Sequence, residues 1–483
     1  MIRRLHQFRR WAGVDRAVFF SNAAQLLRLL TGPMTMALVL RYLTPEIQGY
    51  FYAFAGVVAM QVFLELGFSQ NILQFASHEF SMLRFTPAQT IEGDPVARSR
   101  LISLGRLAFG YYAVAAVIVL LAIGIGGHIF FSLSGHHQIA HSVAGVIGNA
   151  TPASKPMLAW QGAWWIIAVV AALSLAINPA WSLLEGCNQV AVIAQFRFWA
   201  ALFSFAANAL ALIAGAGIYA SAIGAAGSLL FSIGYLVLRW RPFLRQFREL
   251  PAHGEISWKH EIWPFQWRLA VSWTAGYFVF DIINPIAFYF CGPVEAGKIG
   301  MSYQIVRMIY NVSVTWVNTK APRFGMLIAA KAWRELDTLW RRSTLQSFVI
   351  CLLGMASFLA AIPFIGLLLP KIPARLAPLE VNAWLAGAML VQTLIGAMAT
   401  ELRAHKREPL VWIAVANAIL SIGFILPLVH YWGIVGEAMG YALGIWAVLI
   451  PAYRIYRVKR LDLRSEAEEL SGPPSPTISP ETA

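Results

Sequence analysis

Charge is what this sequence has least of. Asp, Glu, Lys and Arg together make up 12% of the chain, about half the share found in soluble domains. That excludes a string of hydrated domains, although 483 residues would be long enough for one. Cysteine is nearly absent too. Cys187, Cys291 and Cys351 stand isolated and odd in number, which excludes a disulfide framework and gives no metal-type spacing. No hydrophilic stretch is long enough to fold alone, so a soluble catalytic domain is excluded. The basic N-terminal stretch MIRRLHQFRRWAGVDRAVFF lacks a short apolar core followed by a small-residue cleavage site, and it reads as an uncleaved cytoplasmic lead-in.

Apolar residues fill the space that charge leaves. They form 58% of the chain, and the mean hydropathy is +0.62. They gather in runs long enough to cross about 30 Å of hydrocarbon. The expected class is therefore an all-α polytopic membrane protein with about twelve transmembrane helices. The spans fall near 17–40, 49–68, 107–131, 160–180, 199–217, 218–238, 264–290, 298–317, 344–369, 381–400, 410–430 and 433–453. The turn Ala214-Gly215-Ala216-Gly217 makes the fifth and sixth a tight hairpin. The Pro/Ser-rich end, with residues 461–483 taken as a cytoplasmic tail, is expected to be disordered.

The net charge of +14 does not point to nucleic acid, because the cations sit in short links between apolar runs. One set of links carries Arg3, Arg4, Arg9, Arg10 and Arg16, then Arg84, Arg98, Arg100 and Arg106, then Arg197, then Arg239, Arg241, Arg245, Arg248 and Lys259. It continues with Lys320, Arg323, Lys331, Arg334, Arg341 and Arg342, then Arg403, Lys406 and Arg407, and closes on Arg454, Arg457, Lys459, Arg460 and Arg464. The alternate links hold only Arg41, Lys155, Lys298, Lys371 and Arg375. The positive-inside rule then places both termini in the cytoplasm of a bacterial-type inner membrane. Arg28, Arg268 and Arg307 are left inside spans.

Two stretches echo each other. Tyr42-Leu-Thr-Pro45-Glu46-Ile-Gln-Gly49 follows the first span, and Tyr289-Phe-Cys-Gly-Pro293-Val-Glu295-Ala-Gly297 follows the seventh. Six spans separate the copies, so the halves share one orientation. That is a parallel repeat about an axis along the membrane normal. It divides the chain into 1–238, 239–460 and the tail.

LRYLTPEIQGYFYAFAGVVAMQVFLELGFSQNIL resembles the first helical hairpin of the polysaccharide (O-antigen type) flippases, which belong to the multidrug/oligosaccharidyl-lipid/polysaccharide exporter superfamily. GKIGMSYQIVRMIYNVSVTW is similar to their eighth helix, and KAWRELDTLWRRSTLQSF to the amphipathic segment that enters their ninth. The resemblance implies two six-helix lobes facing each other across a central cavity. It also implies a polyprenyl-pyrophosphate-linked oligosaccharide as cargo, turned from the inner to the outer leaflet without a cofactor. Several relatives carry Asp near the position of Glu65 and have fourteen helices, where this chain has Glu and about twelve.

The residues themselves carry part of that reading. An Arg at mid-bilayer costs about 2.5–3.5 kcal/mol, so Arg28, Arg268 and Arg307 should face water or a partner. Gln304, Arg307, Asn311, Thr315 and Asn318 recur at helical spacing and make one polar stripe; Asn22, Gln25 and Arg28 make a shorter one. Arg offers a planar fork to phosphate oxygens, and Asn and Gln suit sugar hydroxyls. The bland alternative is helix-to-helix hydrogen bonding, or internal pairing with Asp281 or Glu65. Those two carboxylates are the candidates for coupling transport to an ion gradient; a salt bridge or an interface position explains them as well. His136, His137 and His141 are expected in a solvated loop and not at a metal.

The expected function is a non-enzymatic flippase, with membrane lipids and other polysaccharide-assembly membrane proteins as partners and no nucleic acid. The alternatives are a drug or metabolite exporter of the same superfamily, or a membrane glycosyltransferase or polymerase. Against the exporter stand three intramembrane arginines, which repel cationic cargo. Against the enzyme stands a first outer loop whose one carboxylate is Glu46.

Overall fold

The computed structural model describes residues 16–144, 159–368, 373–405 and 409–469. The chain is an all-α polytopic membrane protein. Its helices are α1 Arg16–Tyr42, α2 Pro45–Glu65, α3 Phe68–Phe80, α4 Pro95–Ala144, α5 Gln161–Gly186, α6 Val190–Ile213, α7 Tyr219–Arg239 and α8 Arg241–Gln246. There follow α9 Trp263–Phe280, α10 Ile283–Asn318, α11 Ala321–Ala329, α12 Trp333–Leu368, α13 Leu379–Ala404 and α14 Val411–Glu469.

Among the described residues, nine stretches are long and apolar enough to cross a membrane. Two of these are double. Leu269–Ile328 bends at Gly292 (φ 85°) and Val411–Ser465 at Gly433 (φ 56°), left-handed positions that glycine adopts without steric cost. With those bends and α1, each expected span has a helix.

The differences from the expected spans have physical causes. The sequence implies one continuous seventh span from 264 to 290, yet the helix breaks at Asp281–Ile282. Pro285 is the reason, since it has no N–H for the carbonyl of Asp281 and its ring crowds that carbonyl. The stretch of His136, His137 and His141, expected to be a solvated loop, is helix, because α4 runs on to Ala144. Their side chains, and residues 145–158, lie outside the described part. A small antiparallel hairpin, β1 Leu83–Phe85 with β2 Ile91–Gly93, had no counterpart in the sequence reading. The tail expected to be disordered from 461 is helical to Glu469; residues 470–483 lie outside the described part.

The chain forms two compact units, 1–301 and 302–483, and their boundary falls within α10. In the first unit α5 is the central helix, packed on α3, α4 and α7. Its Trp164 is buried against Phe54 and Phe131, and the indole donates to the carbonyl of Gly124 at 2.8 Å. Glycines at Gly215 and Gly217, both left-handed, fold α6 back on α7 as the sequence implied. Because α9 packs on α2 and α3, it belongs to this unit, whereas the sequence repeat divides the chain at 238/239.

Arg98 and Arg100, two of the link cations, are also structural in this unit. Arg100 bridges Glu79 on α3 (2.8 Å) and Glu261 before α9 (2.6 Å), and Arg98 meets Glu249 at 2.6 Å. Ser99 accepts from the amide of His253 and donates to the carbonyl of Gly254, both at 3.0 Å. The 240–262 link is thereby stapled to the first turns of α4.

In the second unit α13 packs on α11, α12 and α14, around Val317, Phe324, Leu336 and Ala397. Beyond the apolar part of α14, Arg460 reaches Glu401 at 2.8 Å, and both Arg460 and Arg464 pair with Asp337. The guanidiniums of Arg460 and Arg464 lie over Trp340 and Trp333, at 5.4 and 5.2 Å. These contacts give the last turns of α14 partners, which is why the helix continues past 461.

Candidate functional site

The polar stripe of α10 is a real face. Gln304, Asn311 and Asn318 are exposed and Arg307 and Thr315 half-buried, while Tyr303, Val306, Ser313 and Val317 are buried. Packing against α12 fixes the buried side, where Ser347 donates to the carbonyl of Ser313 and Gly354 abuts Ile309. The stripe is consequently turned away from the core of its own unit. Thr315 satisfies its hydroxyl on the carbonyl of Asn311 at 2.9 Å, which leaves the amides of Gln304 and Asn311 on the open face.

At its C-terminal end the stripe runs into a pocket of about 120 Å³ between α10 and α13. Tyr310, Asn318, Thr393, Thr400 and Arg403 line it, and Thr400 donates to Asn318 at 3.3 Å. Arg403 lines this pocket, and Arg307 lies one helical turn before Tyr310 on α10. A cationic, hydroxyl-rich pocket continuous with an Arg-bearing helix face can hold an anion and its hydroxylated substituents. The sequence reading missed this wall. The signal was there: Thr393, Gly396, Ala397 and Thr400 recur at i, i+3, i+4 and i+7 on α13.

The expected carboxylates sit apart. Asp281 caps the C-terminus of α9 and is half-buried beside a pocket of about 300 Å³ lined by Val62, Ser272, Trp273 and Tyr277. A carboxylate at the negative end of a helix favours a nearby cation. Glu65 ends α2, where Leu66 (φ 51°) and Gly67 (φ 68°) are both left-handed. Its carboxylate accepts from Ser69 at 2.9 Å and from Asn178 of α5 at 3.1 Å. Below it, Gln266 donates to the carbonyl of Leu66 at 2.7 Å and accepts from Asn71.

Asn22, Gln25 and Arg28 lie on α1 and Arg268 on α9; their side chains lie outside the described part. The described side chains thus place Gln304, Arg307 and Asn311 on one face of α10, whereas Asp281 and Glu65 stand at the ends of two other helices, α9 and α2.

With this arrangement in view, solved structures supply a comparison. An inward-facing multidrug resistance MATE family transporter of the MOP superfamily superposes with a TM-score of 0.62, at 13% identity, over 95% of this chain and 100% of its own. The chain shares its fold. The lipid II flippase MurJ, in an inward closed conformation, is also similar, with a TM-score of 0.57 and 12% identity over 95% of this chain and 94% of its own. No protein-family model matches the sequence, and no curated protein does. What these neighbours share with this chain is the path of the backbone. Its stripe, pocket and carboxylates belong to its own sequence.

Proposed function

We propose that this protein is a flippase that carries a polyprenyl-pyrophosphate-linked oligosaccharide across the bacterial inner membrane for surface polysaccharide assembly. The observation that carries the reading is the face of α10, where Arg307 stands between the amides of Gln304 and Asn311 inside a membrane-spanning helix. A guanidinium held there suits a pyrophosphate, and the amides suit the first sugars. The fold common to a MOP transporter and to the lipid II flippase MurJ supports transport over enzymatic chemistry.

In this reading both termini are cytoplasmic, and two six-helix lobes, 1–238 and 239–460, rock about a central cavity. Arg28, Arg268, Asn22 and Gln25 complete the headgroup site from α1 and α9. The prenyl tail stays in the bilayer. Asp281 or Glu65 exchanges a proton or sodium ion to drive the cycle. Membrane lipids surround the protein, and other polysaccharide-assembly membrane proteins hand over and receive the cargo.

A second reading, an exporter of organic cations, is favoured by one observation: Asp281 shares its pocket with Trp273 and Tyr277, and a carboxylate among aromatic rings suits a cation. Reconstituted vesicles separate the two. The flippase reading expects lipid-linked oligosaccharide to reach the opposite leaflet faster than in protein-free vesicles, with no uptake of organic cations. Cation uptake without lipid movement would favour the exporter.

A further inference from the structure

A furrow on the second unit has no part in the transport reading. It lies between α12 and α13 and has a volume of about 270 Å³. Trp340, Leu345, Phe348 and Leu394 form apolar walls, Arg341 stands at one end, and Thr344 lies between them. Leu345 is 64% exposed and Arg341 is exposed. Thr344 is nine-tenths buried, and among the described residues its hydroxyl has no hydrogen-bond partner.

The furrow sits where α12 changes character. Its first turns, Trp333–Arg342, are rich in charge, and the helix is apolar from Phe348 onward. Such a transition falls at the edge of the hydrocarbon, where Trp and Arg settle beside headgroups. Exposed Arg334, Arg341 and Arg342, with Lys331 just before the helix, make that edge basic.

We infer that this furrow binds one anionic glycerophospholipid, with part of an acyl chain against Leu345, Phe348 and Leu394 and the phosphate on Arg341. Charge complementarity selects the anionic headgroup, because a zwitterionic one brings its own cation to a basic rim. The lipid would rest on Trp340, whose indole donates to the carbonyl of Ala397 at 3.1 Å and lies under Arg460. A bound lipid therefore buttresses the ionic cluster that holds the end of α14. This site is independent of the cargo assigned above.

Native mass spectrometry of the full chain with phosphatidylglycerol and phosphatidylethanolamine tests the assignment. The wild type should retain phosphatidylglycerol in preference. Arg341→Ala should lower that retention about fivefold, the weight of one basic residue at an anionic surface. Leu345→Trp, which fills the furrow, should lower retention of both lipids. Arg342→Ala makes the same charge change one residue away, at a side chain that does not line the furrow, and should lower retention clearly less than Arg341→Ala. Equal loss in Arg341→Ala and Arg342→Ala would reduce the effect to general surface charge and overturn the site. So would displacement of the lipid by glycerol phosphate alone, which has no chain, or by polyprenyl phosphate at lower concentration.

Discussion

Gln48 donates from Nε2 to the carbonyl oxygen of Gly297 at 2.7 Å, so the two copies of the Pro–Glu–Gly sequence repeat lie directly against each other. No side chain fits between them. A Cβ on Gly49 would fall 1.8 Å from the carbonyl oxygen of Pro293, and one on Gly297 would fall 2.9 Å from the amide nitrogen of Gly49. The seam continues down α2, where Gly56 meets Pro285 and accepts from the Tyr277 hydroxyl at 3.2 Å. Small residues let backbones approach in this way within membranes.

Substituting Gly49 by Ala should force the seam apart and destabilise the protein by about 1–3 kcal/mol. Thermal unfolding in detergent is the check. Gly110→Ala, at a helix position where a Cβ meets nothing within 4 Å, should leave the melting temperature unchanged or raise it slightly. Equal behaviour of the two variants would mean that the close approach is not needed.

The Glu401 side chain is fully buried and is held by Arg460 and Tyr456. Arg460→Ala strands that carboxylate and should cost about 3–5 kcal/mol. The double variant Glu401→Gln/Arg460→Met should recover most of the loss, because it removes the buried charge along with its partner. Denaturation of both variants tests this; a double variant as unstable as the single one would contradict the assignment.

His405 follows α13, stacked on Trp333. Burial and then the Arg464 and Arg460 charges push its pKa down to about 4. The unfolded chain therefore takes up the proton first. The stability that depends on neutral His405 is complete above about pH 6.5, and it is lost as pH falls from there toward 4. Melting temperature followed from pH 7.5 to 4.5 should fall less in His405→Phe than in the wild type.

Glu261 is held below the usual carboxylate range, first by the Ser257 amide at 2.9 Å and then by Arg100. Its contribution is present above the ordinary Glu value and is lost as pH falls through the depressed one. Glu261→Gln should lower stability at pH 7 and flatten its dependence below pH 5. Proteolysis of the 240–262 link, followed against pH, reads this directly.

How much of this was legible in the sequence follows from the range of each signal. The spans were legible because bilayer thickness imposes a length on apolar runs. The α6–α7 hairpin was legible because Gly215 and Gly217 mark a turn locally. The stripe of α10 was legible as a face, since helical spacing alone defines it. The break at Asp281 was recoverable from Pro285 four residues on, yet proline is common enough in membrane helices that its presence alone did not fix a break. The pocket wall on α13, the pairing of Gln48 with Gly297 and the hold of Asp337 on Arg464 depend on which helices are neighbours. No local pattern states that. Arg98 and Arg100 satisfied the charge bias between links and hid their second role as ion-pair partners.

The central claim is that Arg307, with Gln304 and Asn311 beside it, receives a phosphorylated headgroup. The most direct measurement is the leaflet distribution of lipid-linked oligosaccharide in cells relying on Arg307→Ala, Arg307→Lys or Asn311→Ala as their sole copy. The account predicts build-up on the inner leaflet in all three, strongest for Arg307→Ala and partly relieved by Lys, with protein levels as in the wild type. A wild-type distribution in Arg307→Ala at normal abundance would contradict it.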